Sequence, residues 1–271
     1  MSRLDIEQVL EAVESALMDG RPDDAERLSR QILAVDSRHP EAQLLLGEAL
    51  REQGRFEESE LAYRGAVLAE PALSEAWSAL SSVQFDQLRW EEARRAANRA
   101  LREDPWSAEA AYVRAALRER RGDGFGARRD YLRAWRTEPT YFPLPTLLDD
   151  ETLERVVEDA LSQLHPTLQE YLANVAILVE DVPSEEVLRS YDPPAAPTGI
   201  LGYFSGSSLM ERSLENPWSN LPGAIVLFRR NLERLARSRD ELIEELQVTL
   251  YHEVGHFLGL GEDDLESRGL D

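Results

Sequence analysis

The 271-residue sequence has no cysteine, no lysine, only four histidines, and no apolar run near the ~18 residues that a membrane-spanning helix needs. Without cysteine there are no disulfides and no thiolate ligands, so any bound metal must be held by histidine, aspartate or glutamate. Without lysine, every basic side chain is an arginine. The start, MSRLDIEQVLEAVESAL, carries acids at helical spacing and no apolar signal core, so neither export nor a membrane is expected and the cytoplasm is the default location. Apolar residues make up 42% of the chain, the share of an ordinary globular protein.

Negative charge is abundant and uneven. The formal net charge is -22; residues 1–150 hold 21 arginines against 29 acids, and residues 151–271 hold nine against 23. Such a surface repels nucleic acid and anionic membranes, and reads as a surface selected for solubility or as a preference for basic partners. One stretch departs from this balance. Eight arginines between Arg114 and Arg136 outnumber the five acids of 108–138, a local basic surface for an acidic partner or for the chain's own acidic second half.

The first half repeats itself. PEAQLLLGEALREQGRFEESELAYRGAVLAE (40–70), SEAWSALSSVQFDQLRWEEARRAANRALRED (74–104) and AEAAYVRAALRERRGDGFGARRDYLRAWRTE (108–138) align so that Pro71, Pro105 and Pro139 fall 34 residues apart. Ala25, Ser59, Ala93 and Ala127 form a second column, Ala66, Ala100 and Ala134 a third, and Gly47, Ser81 and Ala115 a fourth. Gly20, Gly54 and Gly122 mark a turn column that Leu88 interrupts. Each unit reads as two amphipathic helices that meet where side chains are small, and stacked pairs bury what one pair cannot. The period and columns resemble the tetratricopeptide repeat, with Trp77 at that family's early aromatic position. Three clear repeats and a weaker first one are expected over residues 1–141, a solenoid whose groove takes a protein or peptide partner.

Pro143 and Pro145 punctuate a junction at 142–150. Residues 149–164 return to helical spacing, with Leu153, Val156, Val157, Ala160 and Leu161 on one side, and are expected to cover the last repeat. Beyond Pro166, NVAILVED (174–181), GILGYF (199–204) and AIVLFR (224–229) read as strands. The polar connection 205–223 reads as a lid over the cleft, and a long helix starts at Ser238, which with Glu241 forms a capping box. Residues 151–271 are thus expected to form a small α+β domain. His39 and His165, each before a proline, read as turn or capping residues.

The last helix contains LYHEVGHFLGLGEDDL (250–265). His252 and His256, four residues apart, share one helix face and can aim at one ion. Glu253 lies one step round and can reach a metal-bound water, as general base, instead of the metal. Gly259 can end the helix in a left-handed turn that brings acids back toward the pair. Glu262, ten residues after His252, is the leading third ligand, and Asp263 the runner-up. The bland alternative is an amphipathic helix carrying two imidazoles.

NVAILVEDVP (174–183), GILGYFSGSSLMERS (199–213), PGAIVLFRRNLE (222–233) and TLYHEVGHFLGLGEDDLE (249–266) resemble, in order and spacing, the small bacterial family of zincin-like metallopeptidases. The resemblance implies Zn2+ held by His252, His256 and the acid at 262, with Glu253 as general base, and a peptide substrate laid along an edge strand at the zinc cleft. GILGYF is the expected edge, Gly199 and Gly202 permitting close backbone approach or only a bulge. The chain ends nine residues after Glu262 with no downstream His or Tyr to steady an oxyanion, so Arg229, Arg230 or Tyr203 is left for that part, each also readable as a strand-edge or core residue. Two functions follow: a zinc metallopeptidase whose repeats recruit a protein substrate or regulator, or a repeat scaffold whose zincin-like domain binds zinc with little catalysis.

Overall fold

The structure is a computed structural model and describes residues 3–210 and 223–266. The chain divides into two compact units, Met1–Phe142 and Pro143–Asp271.

The first unit is built from helix pairs: α1 (Arg3–Met18) with α2 (Pro22–Val35), α3 (Pro40–Glu52) with α4 (Phe56–Ala69), α5 (Ser74–Asp86) with α6 (Trp90–Glu103), and α7 (Ala108–Glu119) with α8 (Gly124–Thr137). The first helices of successive pairs also pack on one another, α1 on α3, α3 on α5 and α5 on α7. The small-residue column of the second helices is buried throughout: Ala25, Ser59, Ala93 and Ala127 all lie in the core. Ser59 Oγ donates to the Gly47 carbonyl at 2.8 Å, so the one hydroxyl in that column is satisfied inside the core. Gly20, Gly54 and Gly122 take φ of +66°, +74° and +74°, and Leu88 takes +61° at the same place in its repeat. A leucine there costs roughly 1–2 kcal/mol of backbone strain. Its side chain is buried, which returns about 2 kcal/mol. His39 and His165 do cap helices. Their side chains accept from the Ala42 and Thr167 amides at 3.4 and 3.3 Å.

The second unit runs α9 (Asp150–Gln163), α10 (Pro166–Leu172), β1 (Ala176–Glu180), α11 (Glu185–Arg189), β2 (Gly202–Ser205), β3 (Ala224–Phe228), α12 (Arg229–Leu235), α13 (Arg239–Leu258) and α14 (Glu262–Glu266). Its sheet has the order β1-β3-β2, β1 parallel and β2 antiparallel to β3, with Tyr203 opposite Val226. The hydrophobic GILGYF segment therefore does supply an edge strand. Arg229 and Arg230 open a helix instead of ending the third strand. Most of the expected lid, residues 211–222, lies outside the described residues.

α13 is amphipathic in two directions at once. Leu242, Leu246, Leu250, Val254 and Phe257 enter one core with Ile225 and Leu227 of β3. Glu245, Val248, Thr249, His252, Glu253 and His256 line a cavity on another side. The helix starts as expected at Ser238, whose Oγ accepts from the Glu241 amide at 3.1 Å. The Glu241 carboxylate returns to the Arg237 amide at 2.8 Å rather than to Ser238 itself. The apolar side of α9, expected to cover the last repeat, is used within its own unit: Leu153, Val156, Val157 and Ala160 pack into the α13 core.

Candidate metal centre

The C-terminal end of α13 carries the site, and glycine chemistry shapes it. Gly259 ends the helix at φ +94°, a left-handed conformation that costs glycine nothing. The Leu260 amide then donates back to the Gly255 carbonyl at 3.0 Å, closing the turn. α14 follows at once, and its fully buried Leu265 lies against Gly255, where a β carbon would strike the Leu265 side chain. That contact clamps α14 to the helix that bears the histidines.

The clamp returns Glu262 to the pair. His252 Nε2 and His256 Nε2 are 3.0 Å apart. The Glu262 carboxylate reaches His252 Nε2 at 3.5 Å and His256 Nε2 at 3.4 Å. These three side chains can hold a metal ion, and Asp263 is not part of the group. Two observations bear on whether such an ion fits. Donor atoms ~2.0–2.1 Å from a tetrahedral ion lie roughly 3.3 Å from one another, close to the separations above. His256 Nδ1 lies 3.2 Å from the Leu260 carbonyl, which can only accept, so Nδ1 holds the proton and Nε2 turns a lone pair toward the group. The donor set fits a borderline metal such as zinc.

Glu253 sits beside the group and outside it. It is 6% exposed. Burial pushes its carboxyl up to about 7, against the pull of the His252 charge and of the Phe204 amide, which donates to it. The edge strand β2 thus spends an outward N–H on Glu253, and its Gly202 backs onto α13 at Thr249 and Glu253. The close approach that Gly202 permits is to the helix.

His252, Glu253, His256 and Glu262 open into a cavity of about 650 Å³, walled by the edge strand, by α13 and by the segment around Tyr191. Residues 172–270 match the family described as zincin-like metallopeptidase, and residues 16–83 and 78–141 match two tetratricopeptide repeat families. The chain is a repeat array followed by a zincin-like domain. That family implies a metal, usually zinc, and a possible metallopeptidase; the repeats imply protein interaction. No curated protein matches the chain. Among solved structures, a thermophilic tetratricopeptide repeat protein of Thermus thermophilus is 21% identical over 62% of this chain and 87% of its own, with a TM-score of 0.45. The crystal structure of MamA is 19% identical over 59% and 88%, with a TM-score of 0.42. An O-GlcNAc transferase of Thermobaculum terrenum is 19% identical over 67% of this chain and 32% of its own, with a TM-score of 0.47.

Of the donors that the sequence offered the zincin-like domain for an oxyanion, Tyr203 lines the cavity and the two arginines are engaged elsewhere. Arg229 and Arg230 each bind Glu233 at 2.8 Å, and that carboxylate is 1% exposed. The buried carboxylate is held at both oxygens, one by each guanidinium. Sequence reasoning missed Tyr191. Its phenol lines the cavity, and its pKa is raised by burial and by the negative charges of Glu253 and Glu262. Its only sequence signal was a tyrosine just before the proline-rich loop 193–197, which says nothing about direction.

Proposed function

We propose that the zincin-like domain is a zinc-dependent peptidase and that the repeat array recruits its protein substrate or a regulator. The observation that carries this reading is the convergence of His252 Nε2, His256 Nε2 and the Glu262 carboxylate to within 3.5 Å, in a cavity that also holds the buried Glu253. His252, His256 and Glu262 are the metal ligands. When bound, zinc supplies a water acidified toward neutrality and a Lewis-acid contact for the scissile carbonyl.

The remaining work belongs to the chain. Glu253, oriented by the Phe204 amide, takes the proton of the attacking water at its carboxylate and gives it to the leaving amide nitrogen. Tyr191 turns its O–H to the oxygen on which charge develops, the part that Arg229 and Arg230 are not free to take. Tyr203 and the rest of the strand wall position the peptide.

The test is a matched pair of measurements, bound zinc and cleavage of an unstructured protein, on the wild type and on Glu253→Gln. The wild type should hold zinc stoichiometrically and cleave; the variant should hold zinc and not cleave. A wild type without zinc ends the proposal, and zinc without cleavage leaves the scaffold reading.

A further inference from the structure

The peptidase reading makes no use of a concentration of positive charge in the repeat array. Residues 89–136 hold thirteen arginines against eight acids, while the rest of the chain holds seventeen against forty-four. Folding gathers this stretch into α6, α7 and α8, and three cavities of about 550, 550 and 270 Å³ open on it. They adjoin. Arg95 borders the first two, Arg121 the first and third, and Arg94, Asn98 and Arg114 the second and third. Together they form one trough.

The walls of the trough carry eight arginines against three acids, Glu91, Glu92 and Asp123. Glu92 and Asp123 already pair with Arg89 and Arg118, while Asp130 lies outside the walls. Asp130, 1% exposed, accepts two hydrogen bonds from Arg114, both at 2.7 Å, and pairs with Arg118 at 3.0 Å. Glu91 pairs with Arg94 at 2.7 Å and with Arg121 as well. At Glu91 one carboxylate between two guanidiniums leaves a positive charge over, whereas Arg118 also meets Asp123 at 3.7 Å, so the Asp130 group balances. Arg95 and Arg102, both exposed on the wall of the trough, donate no hydrogen bond among the described residues, although the Arg95 charge acts on Glu92. The trough is therefore a net cationic slot with spare guanidinium forks, in a chain that is otherwise strongly anionic.

We propose that this trough binds an acidic segment of a partner polypeptide. Guanidinium forks match carboxylates in pairs. A short acidic segment stays over the arginines, within a Debye length of ~8–10 Å. A long nucleic acid would run on over the acids that dominate the rest of the chain, and so is disfavoured. The trough and the metal cleft share no residue, so the proposal stands whether or not the domain is a peptidase.

The test is fluorescence anisotropy of a labelled oligo-glutamate peptide with the full-length chain. Saturable binding that weakens as salt rises and survives a metal chelator is expected. The Arg95→Glu/Arg102→Glu double variant should lose about tenfold or more in affinity with an unchanged melting temperature, since neither side chain is buried. Any one of four outcomes overturns the proposal. These are no saturable binding, equal binding by the folded double variant, binding abolished by the chelator, or a single-stranded oligonucleotide of equal charge bound as tightly.

Discussion

A β carbon built on Gly202 would lie 3.0 Å from both Cγ and Oε1 of Glu253 and 2.8 Å from Thr249 Cγ2. The edge strand and the cavity-lining face of α13 touch at the one residue that has no side chain, and the Glu253 carboxylate rests on that contact. We predict that Gly202→Ala displaces Glu253 and lowers kcat by about tenfold or more while zinc content holds, because misplacement of ~1 Å can cost 10²-fold. Full activity in the alanine variant would mean that Glu253 needs no such seat.

Removing a ligand should differ sharply from removing its neighbour. Glu262→Gln is expected to weaken zinc by more than the roughly 10–100-fold that loss of an outer partner costs. Asp263→Asn, outside the group, should leave affinity unchanged. Competition with a chelator measures both, and the reverse ranking would reassign the third ligand.

Tyr191→Phe keeps the ring and removes the donor. Loss of an oxyanion donor costs ~10²–10³ in kcat, so we expect a fall of that order with KM and bound zinc nearly unchanged. A rise in KM alone would make Tyr191 a wall of the cavity and nothing more.

The repeat array has its own pH dependence. Burial pushes the Asp86 carboxyl up to about 6, with the Arg51 charge pulling the other way and Glu109 adding to the rise. An acid whose folded pKa lies above its unfolded value costs stability above the folded pKa, and the cost fades as pH falls toward the unfolded value near ~4. Asp86→Asn should therefore stabilise the protein by up to about 3 kcal/mol at pH ~7.5, and the gain should fall to about 1 kcal/mol near pH ~4.5. Denaturant titrations at the two pH values check it; a gain independent of pH would assign the effect to packing.

Several features were open to reading before any fold was known, because they are local. The 34-residue period needs only side-chain size: Ala25, Ser59, Ala93 and Ala127 are small because helices meet there. The i,i+4 spacing of His252 and His256 puts both rings on one helix face by helical geometry alone. His39, His165 and Ser238 cap helices because their neighbours in sequence require it.

Other features depended on contacts that no local pattern encodes. Arg229 and Arg230 end a β-branched run, yet the buried Glu233 four and three residues on draws both into a helix. α9 has the face of a capping helix, and its own unit's core takes that face. Tyr191 lies some sixty residues before Glu253, with nothing periodic to connect them. Composition, repeat spacing and the histidine pair were thus determined by the sequence itself, since each follows from helix geometry and side-chain chemistry within a few turns. Only the tertiary structure decided which acid returns to the imidazoles, that Tyr191 joins Tyr203 at the cavity and which arginines already have partners. Those choices turn on packing between distant segments, such as Leu265 on Gly255 and Gly202 on Glu253, where steric fit rather than pattern selects the outcome.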